Sequence, residues 1–332
     1  MAGISQDALI RGVSQQNFVI LGRAGMDMFA DPPGTKSEDA TVFHSDLGGS
    51  SANIAAGLCK LGCAAALVTS VSDDAVGRFC INRLKHYGVD TQYVRSVGGE
   101  FRNSLAIYES CIEDFQNVIY RNGAADFQVT SDDMAAVDFA PFGALVTAGT
   151  VFAAEPSRGA TFDAFSRART QGLPVIFDID YRPYSWPSPE VAADVLSRAG
   201  AASDMIVGND EEFGFMAGDM SQGLEKAQFL AENGVAIVIY KMGEKGAVTF
   251  AGGQEIHTGI YPVQAVKPNG AGDSFMAGLL SGIAEGLDLK QAVLRGSACA
   301  SIVVSKPGCA PAMPTHDQLA AFLADHPGPT EG

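Results

Sequence analysis

Lys267-Pro268-Asn269-Gly270-Ala271-Gly272-Asp273-Ser274-Phe275 sets a carboxylate directly behind a run of small residues and continues into the apolar stretch Met276-Ala277-Gly278-Leu279-Leu280. The pattern predicts a helix that starts at the glycines. Small residues let a ligand approach the main chain, and a helix start carries N–H groups without internal partners. Together with the helix dipole these N–H groups form a seat for an anion such as a phosphoryl group. Asp273 beside that seat suits proton removal from a hydroxyl, while Gly270, Ala271 and Gly272 stabilise the group in transfer. The same residues also fit a plain helix start, with Asp273 answering the dipole and the glycines turning the chain.

Three further segments carry groups of interest. Gly48-Gly49-Ser50-Ser51-Ala52-Asn53 joins a tight turn to a helix, with Ser as N-cap; Asn53 can reach a sugar hydroxyl or simply belong to a capped helix. Asn209-Asp210-Glu211-Glu212 follows a strand and opens a helix, where Asn209 is a ready N-cap. Lys241-Met242-Gly243-Glu244-Lys245-Gly246 lies between a strand and a hairpin, and its glycines serve equally as turn residues. There is no Walker A sequence, no GxGxxG after the first strand and no GxSxG.

The elements that must position these groups alternate along the chain. Apolar strands are expected at 17–22, 65–71, 144–148, 175–179, 205–207 and 235–240, with helices near 53–61, 74–87, 158–170, 190–199, 211–216, 224–232, 272–285, 289–304 and 317–323. Continuous apolar strands separated by helices indicate an α/β fold with a mostly parallel sheet covered on both faces. In such sheets ligands bind beyond the carboxyl ends of the strands. Residues 103–120 read differently, as a hairpin around the polar turn Glu113-Asp114-Phe115-Gln116-Asn117, and 29–47 is irregular with weak strand character. Residues 1–16 and 327–332 are expected to be flexible tails.

Composition narrows the function classes. The 332 residues carry a net charge of −16, with 22 Lys+Arg against 38 Asp+Glu, which argues against nucleic acid as a partner. No apolar signal core or membrane-length run is present, so the cytoplasm is the expected location and no membrane partner is expected. The six cysteines and five histidines show no zinc-ligand spacing, and Cys59 and Cys63 are expected as buried free thiols.

The order of motifs resembles a known family. An early Asp27, Gly-Gly-x-x-x-Asn at Gly48 or Gly49 to Asn53, Asn-x-x-Glu at Asn209 to Glu212, x-x-Gly-x-x-Gly at Gly243 and Gly246, and Gly-Ala-Gly-Asp at 270–273 are similar to the ribokinase-like, or phosphofructokinase B, carbohydrate kinases. The resemblance covers 17–325 and implies one kinase domain: a three-layer α/β/α body with a central, mostly parallel sheet and a small β-strand lid, formed by 29–47 and 101–128. It also implies ATP, with phosphates at Gly270–Gly272, Lys241, Gly243 and Gly246 near the nucleotide, and Mg²⁺ held through water by Glu212 with Asn209. Asp273 would be the base, and Asp27, Gly48, Gly49 and Asn53 would bind sugar hydroxyls.

Within the family, Gly22-Arg23 with Asp27, Arg121-Asn122 with Ala125-Asp126, Glu155-Pro156-Ser157-Arg158 and Asp178-Ile179-Asp180-Tyr181-Arg182-Pro183-Tyr184-Ser185-Trp186 are similar to the branch acting on 5-dehydro-2-deoxy-D-gluconate in inositol catabolism. A sugar acid requires a cation, and Arg182, Arg23 and Arg121 are the candidates in that order. Kinases of 2-keto-3-deoxygluconate, fructose or ribose are the nearest alternatives, and a non-catalytic sugar or nucleotide sensor is the alternative of another class. Many family members carry Asp at Lys267 and bind a monovalent cation there, so weak or absent potassium activation is expected. Lid-to-lid dimers in the family make a homodimer a further expectation.

Overall fold

Phe18 and Ile20 of β1 (Asn17–Leu21) point into one hydrophobic core, and Val19 and Leu21 point into another. Side chains alternate across a strand, so a wholly apolar run requires cover on both faces. The computed structural model, which describes residues 3–111, 114–267, 269–326 and 328–330, meets that requirement with a three-layer α/β/α body.

The remaining strands are β2 (Gly25–Asp31), β3 (Val42–Gly48), β4 (Ala64–Ser72), β5 (Val94–Val97), β6 (Leu105–Tyr108), β7 (Asn117–Tyr120), β8 (Ala144–Ala148), β9 (Val175–Asp178), β10 (Met205–Asn209), β11 (Ile237–Lys241), β12 (Ala247–Ala251) and β13 (Gln254–Thr258). Nine of them form the main sheet in the order β13-β12-β11-β10-β9-β8-β1-β4-β5, parallel from β11 to β5 and antiparallel through β12 and β13. Helices Ser50–Lys60, Ala271–Ala284 and Leu289–Val304 cover one face. Helices Ser157–Thr170, Pro189–Ala201, Asp210–Ala217 and Gly223–Glu232 cover the other.

A second sheet, β3-β2-β6-β7, forms the lid, with β2 and β6 parallel and the outer pairs antiparallel. Its β3 edge is fastened to the body: Arg83 of helix Ala75–His86 donates to both oxygens of Asp46 at 3.0 and 2.8 Å, and Tyr87 Oη donates to Asp46 at 2.9 Å. Such a bidentate pair fixes geometry as well as contributing energy.

Several expectations need correction. The amino-terminal segment is not a loose tail from residue 3 onward. Ser5 caps a helix, Gln6–Val13, whose Leu9 and Val13 are fully buried, and Ile4 N–H donates to Asp204. At the other end Thr330 is held, its N–H donating to the Ile260 carbonyl at 2.8 Å. Met1, Ala2, Pro327, Glu331 and Gly332 lie outside the described residues, as do Pro268 and, in the predicted 113–117 turn, Glu113. The lid begins at Gly25 instead of 29, so Asp27 lies on a strand and not in a loop. The cap of helix Ser50–Lys60 is Gly49, not a serine, because Gly49 adopts φ 99 and Ser50 is already helical. Cys63 falls beyond that helix, and Cys59 and Cys63 are half-buried free thiols.

Candidate active site

The carboxyl ends of β9, β10 and β11 deliver Asp178, Asn209 and Lys241 to one edge of the sheet, facing the start of helix Ala271–Ala284. Gly270 caps that helix at φ 83, in the left-handed region that favours glycine. A Cβ there would stand 3.1 Å from Cys309 Sγ and 3.2 Å from Val303 Cγ1, so the loop tolerates no side chain without moving. Asp273 lies in the first turn and accepts from Asn53 Nδ2 at 2.8 Å. Gly48 leaves room for another carboxylate: its Cβ would fall 1.8 Å from Asp27 Oδ1.

Two cavities meet here. One, of about 290 Å³, lies under the lid and is lined by Arg23, Gly49, Ser50, Asn53, Arg121 and Tyr108 among others. The second, of about 450 Å³, is lined by Asn209, Glu212, Lys241, Gly243, Gly246 and Gly272 among others. Asp180, Arg182, Asn269, Gly270 and Asp273 belong to both walls. An acceptor and a donor occupying the two cavities would touch at Asp273 and the helix N-terminus.

Electrostatics distinguish the carboxylates. Burial pushes Asp273 up to about 6, Asp180 adds repulsion, and the Asn53 hydrogen bond with the Arg182 and Arg23 charges opposes them. Burial pushes Asp27 up to about 7 against the pull of Arg23. Asp178 rises to about 8 by burial, opposed by Lys241 and reinforced by Glu212 and Asp180. Among the described residues, Asp27 Oδ1 and Asn53 Oδ1 find no hydrogen-bond partner and are buried. Orphaned acceptors of this kind suit hydroxyl donors from a sugar.

The remaining expected residues divide by surroundings. Asn209 and Glu212 form a capping box: Glu212 N–H donates to Asn209 Oδ1 and Asn209 N–H donates to Glu212 Oε2, each at 2.8 Å. Glu212 still lines the larger cavity, beside Asp178, which suits a cation that keeps its water shell. Lys241 Nζ lies 5.2 Å from the Phe275 ring centroid and 3.6 Å from where a Gly272 Cβ would stand. Lys267 is buried with its ammonium donating to the Asn269 carbonyl, and burial lowers its pKa. Arg182 pairs with Asp180 at 2.7 Å and reaches Glu212 at 4.0 Å. Asp27 and Gly48 stand behind the cavity wall in contact with each other.

Sequence reasoning passed over Asp180. It is a non-glycine residue at φ 36, is buried, and accepts from Ser50 Oγ while holding Arg182. Backbone strain at a buried charged residue concentrates at functional sites. The signal was available, since Asp180 stands in the segment that drew attention to Arg182. Ser50 and Thr150, whose hydroxyls lie 3.5 Å apart on the cavity wall, had no such signal.

A layered α/β body, a four-stranded lid over a polar cavity and a donor cavity at a helix N-terminus define a ribokinase-like fold built for group transfer. The chain belongs to the pfkB family of carbohydrate kinases, whose profile it matches over residues 15–316. It is 35% identical over 312 residues to 5-dehydro-2-deoxygluconokinase of Geobacillus thermodenitrificans, covering 92% of this chain and 93% of that protein. It is also 35% identical to the 5-dehydro-2-deoxygluconokinase of Photobacterium profundum, covering 92% and 94%. A putative ribokinase II from E. coli, solved with ATP and Mg²⁺, shares the fold with a TM-score of 0.84 at 21% identity, covering 93% of this chain and 99% of that one. No helix among the described residues is long and apolar enough to cross a membrane.

Proposed function

We propose that this chain transfers the γ-phosphoryl group of ATP to the 6-hydroxyl of 5-dehydro-2-deoxy-D-gluconate. The observation that carries the reading is the wall common to both cavities, which holds Asp273, Gly270 and Arg182; the names of the relatives at 35% identity supply the substrate. Asp273 takes the proton of the attacking hydroxyl, the new P–O bond forms as the bond to the ADP oxygen breaks, and ADP leaves. Asn53 keeps Asp273 ionised enough to accept that proton. The amides at Gly270, Ala271 and Gly272 face the transferring group, and Asp27, Gly48, Gly49 and Asn53 bind or shape the sugar side. Lys241, Gly243, Gly246 and Asn209 line the nucleotide side. Glu212 would hold Mg²⁺ through water, and that ion, when bound, offsets phosphate charge.

The site also supports weak potassium dependence, since the Lys267 ammonium already supplies a buried positive charge to the Asn269 carbonyl. A lid-to-lid homodimer is supported by the exposed Val42, Phe115, Val118 and Tyr120 on the lid, and sedimentation would test it. A cytoplasmic location agrees with six free cysteines.

The deciding experiment is ADP release with Mg·ATP, comparing 5-dehydro-2-deoxygluconate with 2-keto-3-deoxygluconate, fructose and ribose, with Asp273→Asn as control. Preference for the first acceptor, lost in the control, is the expected result. Preference for another sugar refutes the substrate but not the chemistry; turnover of none refutes the kinase reading in favour of a sensor.

A further inference from the structure

The three arginines lining the acceptor cavity are answered unequally. Arg182 is paired with Asp180 at 2.7 Å and lines both cavities, so its charge is already met at the junction. Arg121 is paired with Asp126, donates to the Thr150 carbonyl at 3.0 Å and lies 4.1 Å from the Phe127 ring centroid, yet its buried Nε has no partner among the described residues. Arg23 is as deeply buried, but its guanidinium reaches no carboxylate within 4.0 Å among the described residues. Among those residues its one side-chain hydrogen-bond partner is Ser104 Oγ, at 2.8 Å. The two guanidiniums repel each other, Arg23 holding the pKa of Arg121 down behind the larger effect of burial. Asp27 and, more weakly, Asp126 attract Arg23 from beyond 4.0 Å, so of the two buried cations only Arg121 has a carboxylate in direct contact among the described residues. A buried guanidinium with one direct side-chain hydrogen bond has N–H donors left to satisfy, and a carboxylate matches that fork.

We propose that Arg23, backed by Arg121, seats the carboxylate of the substrate and is the residue that separates a sugar acid from a neutral sugar. The inference rests on the sugar-acid reading above and changes the order of candidates drawn from the sequence. Arg182 lines both cavities together with Asp273, whereas Arg23 lines the acceptor cavity alone, so the reacting hydroxyl belongs at the Arg182 end and the carboxylate at the Arg23 end. Arg23 lies two residues before the start of β2, and Arg121 immediately follows β7. Tyr108, Asn117 and Ile119 line the same cavity from β6 and β7. A carboxylate seated there bridges both roots of the lid.

The test compares kcat/KM for 5-dehydro-2-deoxygluconate with that for its carboxamide, which keeps the shape and removes the charge. A hydrogen-bonded charge predicts a wild-type preference for the acid of about 100-fold, reduced to less than about 10-fold in Arg23→Gln with KM for ATP unchanged. Should Arg23→Gln not fold, Arg23→Lys decides, because it keeps the buried charge and loses the planar fork; its preference is expected to drop about 10-fold. Arg121→Gln is made together with Asp126→Asn, so that no buried carboxylate is stranded, and is expected to weaken the preference less. Arg182→Gln should lower kcat on both compounds and keep the preference. Full preference in the Arg23 variants, or its loss in Arg182→Gln alone, overturns the assignment. Turnover of a different sugar acid by the wild type would refute only the substrate named above, and the comparison with that acid's own carboxamide would still decide on Arg23. Turnover of neutral sugars alone would overturn both.

Discussion

Replacing Asn53 by Ala is expected to move the acid limb of the rate profile toward higher pH. Asp273 must be ionised to accept a proton, so kcat/KM rises as the pH passes its pKa in the unliganded protein, which lies at about 6. Burial drives that value up, and the Asn53 amide at 2.8 Å opposes it by donating to the charged form only. Removing the donor therefore raises the pKa. A hydrogen bond to a charged group contributes about 1.5–3 kcal/mol, and at about 1.36 kcal/mol per pH unit this amounts to roughly one to two units. Water entering the vacated space and the remaining pull of Arg182 and Arg23 favour the lower end, about one unit. The assay is ADP release between pH 5 and 9 with both substrates well below KM, because kcat/KM then reports groups in the unliganded protein. Asn53→Ala should show a limb near pH 7 and a plateau reached later, with a raised KM for the sugar. A limb that stays in place or moves to lower pH, in a variant that melts cooperatively, would refute the assignment of Asp273 as the titrating base held by Asn53.

Three other outcomes follow from the geometry. Asp178 has a folded-state value of about 8 against an ordinary 3.8, so the folded chain holds this proton more tightly; its stabilising contribution is complete below about pH 4 and disappears as the pH rises through about 8. Melting temperature should accordingly fall less between pH 5 and 8.5 in Asp178→Asn than in the wild type, and equal slopes would contradict the assignment. Gly270→Ala combines left-handed φ with contacts at Cys309 and Val303, costing about 1–3 kcal/mol of local strain, and should lower kcat by more than it lowers thermal stability. Exchanging sodium for potassium should leave kcat unaltered in the wild type; a large increase with potassium would show that the Lys267 ammonium does not take that role.

Legibility in the sequence tracked the physical origin of each signal. Strands such as Val175–Asp178 and Ile237–Lys241 are buried on both faces and so appear as unbroken apolar runs between turn residues. The helix at Ala271–Ala284 was readable because glycines, an acid and an apolar run coincide there. The β2 strand was not: it alternates between lid and body, and Met26, Asp27 and Met28 carry little strand character by themselves. The amino-terminal helix was missed although Ser5 caps it and Leu9 and Val13 recur at helical spacing, because its eight residues give only two turns of pattern. At the site, Asp273, Asn53 and the glycines announced themselves by local spacing. Arg182 with Asp180 and Arg121 with Asp126 pair within their own segments, whereas the lack of a carboxylate in contact with Arg23 depends on which chain segments meet in space. Charge type was visible, whereas charge balance was not.

Asp27 rides on β2, and β2 is at once a strand of the lid and the neighbour of β3, whose Asp46 is clamped to the body by Arg83. Under the proposed role of Asp27, cover and grip would share one strand, which runs from Gly25 to Asp31. A shift of β2 would then change the hold on the acceptor together with the cover. Changes at lid positions such as Val42 and His44, paired with Asp31 and Phe29, would reach acceptor affinity without touching the acceptor.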